Sequence, residues 1–136
     1  MEEIQKTQSS PRYDAVIVDA YADDSVPQHL MTKEAFALYA SLLRTDGMLI
    51  VHISSRYLNL VPVLIGNAES NAMKLYFRND KKPVGHATPS LWAVLTRDTA
   101  EPQPLLISQF TDSLGEKVIY WDDTHSSVFP IVRWGM

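Results

Sequence analysis

The sequence predicts an α/β protein whose sheet contains parallel strands. Two apolar runs, 13–20 and 48–53, are rich in β-branched residues and continuously hydrophobic at their centres. Such runs are typical of strands that are buried on both faces of a sheet. One segment with helical spacing of apolar residues lies between them, and a second segment follows. The order strand, helix, strand, helix, strand indicates an α/β fold, and right-handed crossovers place the first two strands parallel and adjacent.

The first helix is predicted over residues 32–45, where apolar residues fall on one face at helical spacing. Thr32 suits the N-cap position, and Met31 and Phe36 occupy the two positions of a hydrophobic staple. Asp46-Gly47 predicts the end of this helix, with the glycine as a left-handed C-cap.

The remaining chain predicts one more helix and several strands. The second helix runs from Asn59 to about Met73, with Pro62 tolerated in its first turn and Gly66 lowering its propensity. Strands are predicted over 74–78 and 91–96, a loop over 79–90, a short helix over 105–110 and an extended piece over 117–121. Residues 1–12 are polar and predict a flexible lead-in, so the domain covers residues 13–136.

Composition excludes several classes of protein. Lys plus Arg total 12 and Asp plus Glu total 16, and no basic stripe is present, which disfavours a dedicated nucleic-acid binder. The absence of cysteine excludes disulfides, thiolate zinc sites and cysteine nucleophiles. The apolar runs are too short to cross a membrane, and the polar, acidic start is unlike a signal peptide. We therefore expect no membrane association and a cytoplasmic location.

Acidic residues follow the first predicted strand. Ligands of parallel sheets bind beyond the carboxyl ends of the strands, which directs attention to residues 19–24 and 54–57. Asp19 ends the strand, and Asp23 and Asp24 follow closely. Carboxylates in this position can bind a cationic amine and accept its proton. Alternatively, the later two are solvated loop residues and Asp19 caps backbone amides.

Other chemistry-bearing motifs are weak or absent. No two histidines have metal-ligand spacing, and the stretch 122–125 is explained by a polar turn as well as by a metal, so no metal site is predicted. His52 lies within an apolar strand and is expected to be a hydrogen-bonded core residue. Ser54-Ser55 lacks the G-x-S-x-G elbow of hydrolases, and neither G-x-G-x-x-G nor a P-loop is present.

Four separated segments carry a resemblance to a known family. They are the strand 13–20 with Asp23, the stretch 26–35, the stretch 46–58, and the ending 121–127 with Arg133-Trp134. Together they resemble the spermidine synthase (polyamine aminopropyltransferase) family, most closely its bacterial spermidine-synthase-like branch. This family has a methyltransferase-like, Rossmann-like doubly wound sheet. It transfers an aminopropyl group from decarboxylated S-adenosylmethionine to a polyamine in polyamine biosynthesis.

The resemblance implies roles for acidic residues and for an aromatic one. Asp19 matches the catalytic carboxylate of the family's D-x-x-D segment. The second acid is Asp23 or Asp24, because the spacing here is D-x-x-x-D. Tyr21 would flank the bound nucleoside or amine, or else anchor the loop.

A second segment of the resemblance adds two substrate-binding residues. Thr88-Pro89-Ser90-Leu91-Trp92 is similar to the family's Tyr-Pro-Ser-Gly segment, which closes over the amine, and it implies roles for Ser90 and Trp92. Here a threonine and a leucine replace the family's tyrosine and glycine.

The family's nucleotide-binding first half has no counterpart before Tyr13. The resemblance therefore implies the C-terminal half of the domain, lacking the first strands, inactive alone and with no cofactor of its own. The apolar run Ala15–Val18 would then form an exposed edge, so we expect a homo-oligomer or a complex with a separate N-terminal half. The alternatives are a non-catalytic remnant or interaction module, and a half-domain of an S-adenosylmethionine-dependent methyltransferase-like enzyme.

Overall fold

The computed structural model describes residues 12–19, 27–55, 57–80, 85–86, 88–97, 111–112, 118–127, 130 and 132. These residues form a mixed α/β fold. The strands are β1 (Tyr13–Val18), β2 (Leu43–His52), β3 (Met73–Asp80), β4 (Ser90–Arg97) and β5 (Thr111–Asp112), and the helices are α1 (Lys33–Leu42) and α2 (Val61–Ser70). A single 3₁₀ turn, Gln28–Leu30, precedes α1.

The described strands form one five-stranded sheet in the order β1-β2-β4-β3-β5. β1 and β2 are parallel neighbours joined through α1, which confirms the prediction for the first two strands. β4 lies between β2 and β3 and runs antiparallel to both. Because β4 reverses direction, its first residues lie at the same edge of the sheet as the carboxyl ends of β1 and β2.

The hydrophobic core covers one face of the sheet. In β2, Leu49 and Val51 are fully buried, whereas Met48 and Ile50 on the opposite face are only partly buried. In β1 the side chain of Ile17 is 64% exposed. The prediction that β1 is buried on both faces is therefore wrong, because Val16 and Val18 pack against the core while Ile17 lies on the opposite face.

The start of α1 agrees with its sequence pattern. The side chain of Thr32 accepts a hydrogen bond from the backbone N–H of Ala35 at 3.3 Å, which confirms the N-cap. Met31 and Phe36, the two residues of the predicted staple, are both buried in the core.

The end of α1 differs from its sequence pattern. The helix ends at Leu42, and the next residue, Leu43, is fully buried and pairs with Tyr13 of β1. Gly47 lies within β2, so its predicted role as a left-handed cap is wrong. A β-carbon at this glycine would lie 3.0 Å from the carbonyl oxygen of Tyr13, so close contact between the strands explains the glycine.

Helix α2 begins later and ends earlier than predicted, and Pro62 lies in its first turn as expected. Gly66 lies where the segment 118–121 crosses the helix. A β-carbon here would be 2.1 Å from the carbonyl oxygen of Ile119. The backbone N–H of Ile119 donates to the carbonyl of Pro62 at 3.0 Å. The glycine that lowers helix propensity is therefore the residue that permits this close packing.

The segment 118–127 packs against the start of α1. Trp121 is 2% exposed, its indole N–H donates to the carbonyl of Ser127, and its own carbonyl accepts from the N–H of Lys33 at 2.8 Å. The hydroxyl of Thr32 donates to Asp123 Oδ1 at 2.7 Å. Residues 118–121, predicted to be extended, form no strand.

Two predicted segments, the helix at 105–110 and residues 1–11 of the lead-in, lie outside the described residues. Among the helices that the structure describes, none combines the length and hydropathy that crossing a bilayer requires.

Candidate functional site

A carboxylate and an imidazole meet at the carboxyl ends of the two parallel strands. Val18 pairs with Val51, so Asp19, which follows β1, lies beside His52, the last residue of β2. Asp19 Oδ1 is 2.8 Å from His52 Nδ1. The Asp19 side chain is 55% exposed and that of His52 is 23% exposed. Asp19 therefore presents its carboxylate to solvent while one of its oxygens is held by the histidine.

The hydrogen bonds continue from His52 into the neighbouring strand. His52 Nε2 is 2.8 Å from the hydroxyl oxygen of Ser54. This oxygen accepts a hydrogen bond from the backbone N–H of Leu91 at 2.7 Å and lies 3.4 Å from the carbonyl oxygen of the same residue. One chain of hydrogen bonds thus connects the ends of β1 and β2 with the start of β4.

An aromatic side chain forms a further part of the site. His52 pairs with Trp92 in the register of β2 and β4. Their rings stack, with centroids 4.5 Å apart and planes inclined by 22°. Ser90 begins β4 at the same edge of the sheet, opposite Asp80.

The structure brings together some of the residues that the sequence singled out. Asp19 and Trp92 lie on either side of His52. Asp19 bonds to the side chain of His52, and the loop that follows Asp19, whose amides it would cap in the alternative interpretation, lies outside the described residues. Tyr21, Asp23 and Asp24 lie outside the described residues.

Sequence reasoning placed His52 in the core and gave Ser54 no role. The sequence does contain a signal that His52 faces away from the core, because side chains alternate between the two faces of a strand. His52 therefore shares a face with Met48 and Ile50, away from the buried Leu49 and Val51. The missing information was the register between β1 and β2, which places Asp19 beside the histidine.

Carboxylate, imidazole and hydroxyl follow one another here as they do in a Ser-His-Asp triad. The Ser54 oxygen also accepts the backbone N–H of Leu91, and the sequence has no nucleophile elbow. We therefore interpret Ser54 as a structural partner of the His52 ring. The exposed member of the chain is Asp19, which has the chemistry to bind a cation and to accept a proton.

The acidic stretch near the end of the described chain forms a hydrogen-bonded turn. Asp122 accepts hydrogen bonds from the hydroxyl of Thr124 at 2.7 Å and from its backbone N–H at 2.8 Å. These bonds hold the pKa of Asp122 well below the usual range of an aspartate. Among the residues that the structure describes, no three His, Asp or Glu side chains are grouped closely enough to hold a metal ion.

Among known proteins, solved structures show a likeness to this chain. No protein-family model matches the chain, and no curated protein matches it. One similar solved structure is described as the crystal structure of the M1.HpyAVI-SAM complex, with a TM-score of 0.48 and 14% sequence identity. The likeness covers 93% of this chain and spans 63% of the length of that one.

Proposed function

We propose that this chain is part of a spermidine-synthase-like aminopropyltransferase of methyltransferase-like fold, and that Asp19 binds the amine substrate. The observation that carries the proposal is the exposed carboxylate of Asp19 at the carboxyl end of β1, held by His52 at 2.8 Å. This position in a parallel strand pair is where doubly wound sheets bind ligands. The sequence resemblance gives the same residue the catalytic role.

Asp19 has the chemistry that aminopropyl transfer requires. The amine nitrogen must lose a proton before its lone pair can attack the carbon beside the sulfonium sulfur. A C–N bond then forms, the C–S bond breaks, and its electron pair stays on sulfur, which leaves as a neutral thioether. A carboxylate can hold the incoming ammonium group, orient it and accept the proton. Asp19 is the described residue that fills this role, with Trp92 as an aromatic wall of the same site.

The described residues supply the amine side of such a site. The chain contains no G-x-G-x-x-G sequence, so no recognisable glycine-rich turn for the nucleoside is present in it. We place the binding of decarboxylated S-adenosylmethionine on residues outside this chain. Transfer by the chain alone is accordingly not expected, whereas amine binding is.

The position of β1 supports a partner that completes the sheet. β1 is the outermost strand of the described sheet, and its residues Tyr13 and Ile17 are 60% and 64% exposed. An apolar strand with a free edge pairs readily with another strand. In the proposal that strand comes from a separate N-terminal half or from a second copy of the chain.

Calorimetry on the wild-type chain and two variants tests the proposal. We expect putrescine to bind the wild type and Asp14→Asn alike, and Asp19→Asn to bind at least about tenfold more weakly, as expected when a charged partner is lost. Asp14 is a matched control because it lies at the other end of β1, where its exposed side chain pairs with Arg44.

Three outcomes would overturn all or part of the proposal. Equal binding by Asp19→Asn would remove the role of Asp19. No binding of putrescine, methylthioadenosine or decarboxylated S-adenosylmethionine at millimolar concentration would indicate a non-catalytic remnant. Methyl transfer from S-adenosylmethionine to an acceptor would assign the methyltransferase-like alternative.

A further inference from the structure

His52 is held from three directions at the end of β2. Its Nδ1 faces Asp19 at 2.8 Å, its Nε2 faces Ser54 at 2.8 Å, and its ring stacks on Trp92 at 4.5 Å. The neighbouring residue Leu91 holds the serine through its backbone N–H. The ring therefore has one fixed position and orientation relative to β4.

The donors and acceptors in this chain of contacts assign the tautomer of the ring. The backbone N–H of Leu91 can only donate, so the Ser54 oxygen accepts there and keeps its own hydrogen for another partner. An ionised Asp19 can only accept, so the hydrogen between Asp19 and His52 belongs to Nδ1. In the neutral ring, Nε2 then accepts from the Ser54 hydroxyl, which lies 2.8 Å from Nε2 and 3.4 Å from the Leu91 carbonyl oxygen, so the shorter contact takes the hydrogen. Every group in the chain has a matching partner in this arrangement.

We infer that His52 is a positioning residue for Asp19. Its Nδ1–H donates to one carboxylate oxygen and fixes the rotation of the carboxyl group, so that the second oxygen is held in place for an ammonium group. Without this donor, the 55% exposed carboxylate would sample several orientations, and binding would have to select one of them. This inference rests on the proposed function, since it concerns how the same site binds its amine.

Variants of His52 separate orientation from packing. In His52→Phe the ring and its stacking on Trp92 remain and the donor is lost, so we expect putrescine affinity to fall about tenfold, as for loss of a hydrogen bond to a charged group. His52→Asn places an amide N–H near the position of Nδ1 and should restore most of the affinity. His52→Gln places its amide near Nε2, towards Ser54, and should not. Melting temperatures of all variants serve as the control for folding.

A second measurement does not depend on any ligand. Nitrogen-15 NMR of the histidine rings reports which nitrogen carries the hydrogen. We expect the Nδ1–H tautomer of His52 in the wild type and its loss in Asp19→Asn, while the exposed His29 and His86 keep their signals in both proteins. A purely structural role of His52 would not require this tautomer to depend on Asp19.

The two measurements distinguish failure of this inference from failure of the proposed function. If wild type binds putrescine and His52→Phe binds equally well, Asp19 acts without His52 and the inference is wrong. An Nε2–H tautomer in the wild type would also refute it. If wild type binds no amine while the tautomer depends on Asp19, the positioning relation stands and the proposed substrate falls.

Discussion

Replacement of Gly66 by alanine should destabilise the protein, although alanine is the better helix former. The added β-carbon would lie 2.1 Å from the Ile119 carbonyl oxygen, and β-carbon contacts under 3.0 Å essentially do not occur. The segment 118–121 must therefore move away from α2. The contact is with backbone, so a side-chain rotation cannot relieve it.

The expected loss in the free energy of unfolding of Gly66→Ala follows from three contributions. Displacing the segment weakens the hydrogen bond from Ile119 to Pro62, which costs about 1 kcal/mol. Overpacking of this kind costs about 1–3 kcal/mol more, because Trp121 in the same segment is fully packed in the core. The gain in helix propensity offsets about 1 kcal/mol. We expect a net loss of about 1–3 kcal/mol in the free energy of unfolding.

Urea unfolding followed by tryptophan fluorescence measures this loss. The control is Ser70→Ala, which also introduces alanine into α2 but at an exposed position, and which should change the free energy of unfolding by less than about 0.5 kcal/mol. A Gly66→Ala protein as stable as the wild type, or more stable, would show that propensity outweighs the contact and that the reasoning is wrong.

Three further predictions concern the cap of α1, the turn at Asp122 and the edge of the sheet. Thr32→Val should lower the free energy of unfolding by about 1–2 kcal/mol in urea titrations, because it removes the N-cap and the bond to residue 123, whereas Thr45→Val at an exposed position should not. The lowered pKa of Asp122 means that its contribution to stability is present above the ordinary aspartate pKa and is lost as the pH falls below it. The free energy of unfolding of Asp122→Asn, measured as the pH is lowered, should therefore lack that part of the decline seen in the wild type. Identical acid profiles of the two proteins would contradict a lowered pKa at Asp122. Size-exclusion chromatography should show self-association that Ile17→Lys weakens, whereas a stable, dilute wild-type monomer would argue against pairing at β1.

Local patterns predicted the parts of the fold that local forces determine. Short-range signals predict the N-cap at Thr32 and its flanking apolar pair. Chain connectivity predicts the parallel pairing of β1 and β2. The end of α1 did not follow, because burial of Leu43 against β1 takes precedence over the Asp46-Gly47 stop signal. Tertiary contacts of this kind are not visible in a window of one sequence.

In the candidate site, too, local patterns predict one residue, and tertiary contacts determine the role of another. Asp19 was predicted because the end of an apolar strand is a recognisable position. His52 was not, because its significance depends on the strand register, which is a property of two segments 33 residues apart. Gly66 is a similar case, because the need for a glycine there comes from close packing against the distant segment 118–121.

The contact between Thr32 and Asp123 has a consequence for the order of events during biosynthesis. The two residues are separated by 91 positions, so the first turn of α1 leaves the ribosome well before its partner has been translated. At about 5–20 residues per second, this gap lasts roughly 5–18 s. During that interval the nascent helix lacks both the Asp123 carboxylate, which accepts from Thr32, and the Trp121 carbonyl, which accepts from Lys33. A stalled nascent chain that stops short of residue 121 should therefore remain open to proteases and chaperones, and native protection should arise abruptly once the segment 118–127 emerges.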